Sequence, residues 1–69
     1  MKEFHLEGNE YIELKNLLKL VGFFNSGGEA MVSIAEGKIM VNGNVELRKR
    51  CKIHSGQIVE FKGNKILVK

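Results

Sequence analysis

Residues 26–43 read SGGEAMVSIAEGKIMVNG and carry the clearest local signals of secondary structure in the chain. The first four residues of this stretch have the Ser-x-x-Glu form of a capping box, so Ser26 is expected to begin a helix. Gly37 follows the apolar residues of that helix and predicts its end, because glycine readily adopts the left-handed conformation found there. Asn42-Gly43 after a short apolar run predicts a tight turn. The stretch therefore predicts a helix followed directly by a β-hairpin.

Another helix is predicted before this stretch, and each of the two helices has one apolar face. In the later helix that face comprises Ala30, Met31, Ile34 and Ala35. Upstream, apolar residues recur at three- and four-residue spacing, which is typical of an amphipathic helix over about residues 10–21. They are Tyr11, Leu14, Leu17, Leu18 and Val21. Because the link between the helices is short, they are expected to pack against each other at an angle.

Alternation of apolar and polar residues predicts strands on both sides of the helix pair. One short strand is expected at the N-terminus, over residues 4–6. The others are expected over residues 39–41, 45–47, 57–61 and 65–68. The predicted fold class is α+β, with the helix pair packed on a small, mainly antiparallel β-sheet. One domain is expected to occupy residues 1–69.

The charge of the 69-residue chain is unevenly distributed. Residues 1–37 hold three lysines and six glutamates, a net charge of −3, whereas residues 38–69 hold eight lysines or arginines and two glutamates, a net charge of +6. A basic half favours an anionic partner, most often nucleic acid. The single cysteine excludes an internal disulfide and favours a cytoplasmic setting. No signal peptide or membrane-spanning segment is expected.

Catalysis, cofactors and metal ions are not expected. The chain has no aspartate, and local spacing brings no serine, histidine and acid together. Gly27-Gly28 has the spacing of neither a GxGxxG motif nor a P-loop. Cys51 lies among cations that would lower its thiol pKa. A half-buried apolar role is nevertheless favoured for it, so a thiol-dependent activity is not expected.

Residues 48–52 read RKRCK and carry four cations within five residues. If the strand at 45–47 continues, alternation places Arg48, Arg50 and Lys52 on one face roughly 7 Å apart. The alternative is a solvated edge strand, since charges at an edge also block aggregation. The clustering favours binding, because arginine and lysine are the residues that contact phosphates. Arg48, Lys49, Arg50 and Lys52 are therefore candidate nucleic-acid contacts.

Two further candidate sites lie on the predicted helices. Gly27 and Gly28 leave backbone N–H groups uncovered at the positive end of the second helix, where a phosphate can bind. A glycine-permitted helix entry explains the same residues equally well, and Glu29 would repel an anion. Lys15 and Lys19 lie one helical turn apart, but surface lysines are usually only solvated. They contribute only if the fold aligns them with residues 48–52.

The order of these features resembles the RNA-binding domain of the small-subunit ribosomal protein S-four family, also called the αL motif. The resemblance runs from about residue 12 to 61, and the matching positions are Gly22, Ser26, Ala30, Gly37, Ile39, Val41, Asn42, Gly43 and Gly56. The short length and the segments SGGEA and RKRCKI most resemble the small stand-alone bacterial members, the YbcJ-like proteins. The resemblance implies a cytoplasmic module that binds structured RNA, for example ribosomal RNA.

Carried over by position, the resemblance implies that the start of the second helix and the hairpin face the RNA. The residues concerned are Ser26, Gly27, Gly28, Met31, Lys38, Asn42 and Gly43. Gly27 stands where the ribosomal family tends to have arginine, and Met31 where it tends to have a basic residue. The hypothesis is that backbone amides at Gly27 and Gly28 replace one arginine contact, while residues 48–52 supply the missing charge.

Two functions remain open from the sequence. The first is a monomer that binds structured RNA through about four to six phosphates, with an affinity that falls steeply with salt. Base readout by aromatic platforms is not expected, since the chain lacks tryptophan and has few aromatic residues. The second is a protein-interaction module whose basic face docks an acidic partner of the translation or RNA-processing machinery, such as a ribosome-associated protein.

Overall fold

The computed structural model describes residues 1–69 as a helix pair packed on a mainly antiparallel sheet, which confirms the predicted α+β class. The helices are α1 (Leu14–Leu20) and α2 (Gly27–Ala35). The strands are β1 (Lys2–Phe4), β2 (Ile12–Glu13), β3 (Ile39–Val41), β4 (Asn44–Val45), β5 (Lys52–Ile53), β6 (Ile58–Phe61) and β7 (Asn64–Val68). Five strands form one sheet in the order β1-β7-β6-β3-β4, and β2 pairs with β5 in a separate ribbon. In the larger sheet the β1–β7 pair is parallel.

The hydrophobic core lies between the helix pair and the sheet. Its fully buried side chains are Leu14, Leu17, Leu18, Ala30, Ile34, Ile39, Ile53, Val59, Ile66 and Val68. Burying one large apolar side chain stabilises the fold by about 1.5–3 kcal/mol. Ala35 was expected on the buried side of α2 but is exposed, because the face of Ala30 continues three and four residues later at Ser33 and Ile34. No helix is both long and apolar enough to span a membrane.

Local signals place α2 and the β3–β4 hairpin as predicted. The Glu29 N–H donates to Ser26 Oγ at 3.2 Å, so Ser26 caps α2. Asn42 and Gly43 have φ angles of 50° and 84°, the positive values that a two-residue hairpin turn needs. The Ile58 N–H donates to Asn42 Oδ1 at 2.9 Å. The turn is thereby joined to β6 as well as to its own hairpin.

Helix α1 begins at Leu14 and not near residue 10, as the apolar spacing predicted. Residues 12–13 instead form β2, which pairs antiparallel with residues 52–53 of β5. The first two helical amides then donate to loop carbonyls, Leu14 N–H to Cys51 O at 2.9 Å and Lys15 N–H to Lys49 O at 3.1 Å. The apolar periodicity of residues 10–21 cannot reveal that residues 12–13 pair with residues 52–53, which lie 40 positions later in the sequence.

The strand predicted at 45–47 does not continue through residues 48–52. Strand β4 ends at Val45, and Lys49 and Arg50 form a turn. Only residues 52–53 are extended, and they leave the main sheet because the Ile53 side chain is fully buried in the core beside β2. The shared strand face proposed for Arg48, Arg50 and Lys52 is therefore wrong.

Candidate nucleic-acid interface

Residues 48–52, hereafter the basic loop, are positioned by their backbone. The carbonyl groups of Lys49 and Cys51 accept the two hydrogen bonds from the start of α1, and the Cys51 N–H donates to Arg48 O at 3.1 Å. None of the four cationic side chains takes part in these backbone bonds. The side chains of Arg48, Lys49, Arg50 and Lys52 are all exposed. The fold thus presents a fixed loop with a concentrated positive charge.

Arg48 differs from the other cations of the basic loop because Glu46 binds its guanidinium. Arg48 Nε donates to Glu46 Oε2 at 2.9 Å and Arg48 Nη2 donates to Oε1 at 3.1 Å, a bidentate pair. These hydrogen bonds lower the pKa of Glu46 to about 2. They also raise the pKa of Arg48 above its ordinary value. Lys49, Arg50 and Lys52 have no carboxylate within ion-pair distance, so they are the cations left for a ligand.

The basic loop borders an open groove of about 370 Å³ lined by Arg48, Arg50, Cys51 and Lys52. Cys51 is half-buried and packs against the core, which confirms its apolar role. Burial raises the pKa of its thiol, and Glu46 raises it further, while Arg48 opposes them. Arg48 thus lowers this pKa as expected, but burial and Glu46 outweigh it, and the net shift is upward. No group of three or more potential metal ligands occurs in the chain.

Helix α1, which carries Lys15 and Lys19, begins beside the basic loop. Lys15 lies next to the basic loop, since its backbone N–H is bonded to Lys49. Lys19 lies one turn further along α1 and is exposed. Residues four apart lie on the same side of a helix, so the two lysines follow one line away from the loop.

The N-terminus of α2 is not joined to the basic loop. Residues 26–28 follow the opposite end of α1, and no hydrogen bond or ion pair connects them to residues 48–52. A Cβ added at Gly27 would meet no atom within 4 Å, and one at Gly28 would meet only Ser26 Oγ at 3.8 Å. Neither glycine is therefore required by packing. Met31, which follows the buried Ala30 in the middle of α2, is half-buried.

The hairpin residues carried over from the family already have partners within the protein. Lys38 Nζ lies 3.1 Å from Glu36 Oε1 in an exposed ion pair. Asn42 Oδ1 accepts the Ile58 N–H, and Gly43 completes the turn. The signature turn thus has a structural role. The Asn42 side-chain NH₂ group makes no hydrogen bond within the protein and is free to donate to a ligand.

An exposed aromatic pair beside the basic loop was missed from the sequence. The Tyr11 and His54 ring centroids lie 6.0 Å apart, and Lys52 Nζ lies 4.9 Å from the centre of the Tyr11 ring. The side chains meet because Tyr11 lies opposite His54 at the end of the β2–β5 ribbon. Helical spacing had assigned Tyr11 to a buried stripe, whereas it is 38% exposed. Only the long-range strand pairing reveals its position.

Comparison with known proteins finds relatives over almost the whole chain. The S4 domain family matches residues 4–69. YbcJ of Escherichia coli (strain K12), provisionally named as an RNA-binding protein, is 48% identical over 68 residues, which are 99% of this chain and 97% of YbcJ. RlbA of Bacillus subtilis (strain 168), provisionally named as a ribosome maturation protein, is 35% identical over 54 residues, 78% of this chain and 76% of RlbA.

A solved structure agrees with these matches. The solution structure of Escherichia coli YbcJ superposes with a TM-score of 0.75 at 48% identity, covering 99% of this chain and 86% of that one. It is described as revealing an αL motif involved in RNA binding. The family resemblance inferred from residues 26–43 is thereby confirmed, and so is the likeness to the small stand-alone members.

Proposed function

The chain belongs to the S4 domain family, and from this membership we propose that it binds structured RNA, with the basic loop as the principal contact to phosphates. The observation that carries the proposal is the group of three exposed cations, Lys49, Arg50 and Lys52, that no carboxylate neutralises. RNA as the partner is supported by what is said of YbcJ in its name and its structure.

The chemistry of the basic loop suits a phosphate backbone. The Arg50 guanidinium offers a planar fork of donors that matches two phosphate oxygens, and the two lysines act as mobile point charges. Because backbone hydrogen bonds fix the loop, binding does not have to order it. Lys15 and Lys19 would add contacts along α1, which gives about four to six phosphates in all.

Ribosomal RNA in the bacterial cytoplasm is the first target that we propose. The relatives are bacterial, and RlbA is named for ribosome maturation. A monomer is sufficient for this function, since one chain provides the whole basic loop and the adjoining lysines.

The proposal is tested by binding of a fluorescently labelled ribosomal RNA hairpin, measured by anisotropy at increasing KCl concentration. The logarithm of the association constant should fall with a slope of about −3 to −5 against the logarithm of salt concentration, because each phosphate contact contributes roughly 0.7–0.9. Absence of binding at low salt, or binding with no dependence on salt, would contradict the proposal.

A second function, docking of an acidic protein of the translation or RNA-processing machinery, is favoured by two exposed apolar side chains next to the loop. Val45 is 56% exposed and Leu47 is 62% exposed. Apolar residues flanked by charge are typical of protein interfaces. Nuclease treatment of a lysate pull-down separates the two functions, since it should release a partner bridged by RNA and retain one that contacts the protein directly.

A further inference from the structure

A second groove without cations adjoins the basic loop. It has a volume of about 490 Å³ and is lined by Asn9, Glu10, Tyr11, Ile12, Glu13 and Asn16. Lys52 lines the groove of the basic loop, and its ammonium lies over the Tyr11 ring. Two grooves of opposite character therefore meet where Lys52 contacts Tyr11.

Tyr11 offers an aromatic surface at this junction. Ile53 is fully buried, so alternation along the β2–β5 ribbon places Tyr11 and His54 on the outward face. His54 is held by its backbone N–H, which donates to Gln57 Oε1 at 2.6 Å, and its Nδ1 lies 3.1 Å from Glu10 O. The Lys52 ammonium is exposed, and a cation–π contact at an exposed site is weak. The Lys52 ammonium can therefore move off the Tyr11 ring at little cost in free energy.

The polar lining of the second groove repels phosphate and suits a nucleobase. The carboxylates of Glu10 and Glu13 make no hydrogen bond or ion pair within the protein. They are free to accept from the exocyclic amino groups of adenine, cytosine or guanine. Uracil has a carbonyl oxygen in place of such a donor. Asn9 donates through Nδ2 to Leu6 O at 2.9 Å, which leaves its Oδ1 as a further acceptor.

We propose that this groove holds one unpaired nucleobase of the bound RNA, stacked on Tyr11, while Lys52 and the rest of the basic loop hold the adjacent phosphates. The inference rests on the proposed RNA-binding function and specifies its target as structured RNA with an unpaired nucleotide that carries an exocyclic amino group. Unpaired bases in loops and bulges are the positions at which proteins stack and read RNA.

The test compares three RNA probes in the same anisotropy assay, a plain duplex, the duplex with one bulged adenosine and the duplex with one bulged uridine. The wild-type protein should bind the adenosine bulge roughly 5- to 150-fold more tightly than the duplex, the gain expected from stacking one base on an aromatic ring. The uridine bulge should bind more weakly than the adenosine bulge.

Substitutions at Tyr11 test whether its ring causes the preference for the adenosine bulge. The Tyr11→Ala variant should bind the three probes equally. Tyr11→Phe keeps the ring and should keep the preference. His5→Ala is the control, because it removes an exposed ring on the β1 side of the molecule, outside the second groove. It should keep the preference for the adenosine bulge.

A measurement on the wild-type protein makes the test independent of the folding of any variant. A 2-aminopurine at the bulge should lose fluorescence on binding, because stacking on the Tyr11 ring quenches it. Salt-dependent binding with equal affinity for all three probes and no quenching would overturn the nucleobase site and leave the proposed function standing. Failure of all three probes to bind would overturn the proposed function instead.

Discussion

The Glu46 carboxylate decides how much of the positive charge of the basic loop is available to a ligand. It holds the Arg48 guanidinium through two hydrogen bonds and accepts a third from the Arg48 backbone N–H at 3.0 Å. Arg48 therefore shapes the loop, whereas Arg50 and the two lysines have no carboxylate partner. From the sequence all four cations are candidate contacts, and only the structure shows that Glu46 binds Arg48 and not the other three.

This ion pair makes the stability of the protein depend on pH. The pKa of Glu46 is about 2 in the folded protein against an ordinary value of 4.5. A lowered pKa contributes stability that is fully present above about pH 4.5 and is lost as the pH falls toward 2. The difference in unfolding free energy between the wild type and Arg48→Met should therefore shrink over this range.

Chemical denaturation at a series of pH values measures that difference. Arg50→Met is the matched control, because Arg50 is exposed and has no carboxylate partner. The difference in unfolding free energy between Arg50→Met and the wild type should not change with the titration of Glu46. A constant difference for Arg48→Met between pH 7 and pH 2 would show that the ion pair does not stabilise the fold.

Asn42 is predicted to matter for stability through its backbone conformation and its side-chain carbonyl. Asn42→Ala should lower the unfolding free energy by about 2 kcal/mol, since alanine disfavours a φ of 50° and leaves the Ile58 N–H without its acceptor. Asn42→Gly tolerates the φ angle and should cost only about 1 kcal/mol. Urea unfolding measures both, and equal losses in the two variants would contradict this assignment.

At the scale of the elements, local signals and long-range pairing account for different parts of the fold. The Ser26 cap and the Asn42-Gly43 turn depend on neighbouring residues, so α2 and its hairpin could be predicted from the sequence. The start of α1 and the path of the basic loop depend on Ile12 pairing with Ile53, which no local pattern contains. The same pairing exposes Tyr11, and for that reason the aromatic side of the candidate site was missed.

The N-terminus of α2 gives a prediction at this scale. A Cβ added at Gly27 would meet no atom within 4 Å, so the backbone has room for Gly27→Arg, which restores the arginine of the ribosomal family. If this helix end contacts RNA, the variant should bind up to about tenfold more tightly and steepen the salt slope by roughly 0.7–0.9. The anisotropy assay measures both quantities.

Gly27→Ala is the control for this experiment, because it keeps the backbone amides and adds no charge. It should leave RNA affinity unchanged and stabilise α2 by less than about 1 kcal/mol. Equal affinities of Gly27→Arg and Gly27→Ala would place the start of α2 outside the RNA interface and leave the basic loop as the source of binding.

In the molecule as a whole, the residues that form the core are distinct from the cationic residues of the basic loop. Twelve buried apolar residues form the core between the helices and the sheet. The basic loop lies at its edge and is fixed by backbone carbonyl groups, so its side chains can be exchanged without removing those bonds. Except at Arg48, whose ion pair with Glu46 also stabilises the fold, this separation allows charge and fold to be tested independently.

The most direct test neutralises the basic loop and compares it with an equal change elsewhere. The loop variant carries Arg48→Gln, Lys49→Gln, Arg50→Gln and Lys52→Gln. The matched control replaces four exposed lysines outside the loop, namely Lys2, Lys62, Lys65 and Lys69, by glutamine. Each variant removes four positive charges from a chain whose net charge is +3, so any difference between them reports position and not total charge.

The measurement is the affinity for the ribosomal RNA hairpin as a function of salt, with circular dichroism to verify that both variants are folded. The loop variant should lose binding by about 100-fold or more, and its salt slope should fall by roughly 2–3 units. The control should retain most of its affinity and its slope. A folded loop variant that binds RNA as the wild type does, or that loses no more affinity than the control, would show that the basic loop is not the principal contact to phosphates.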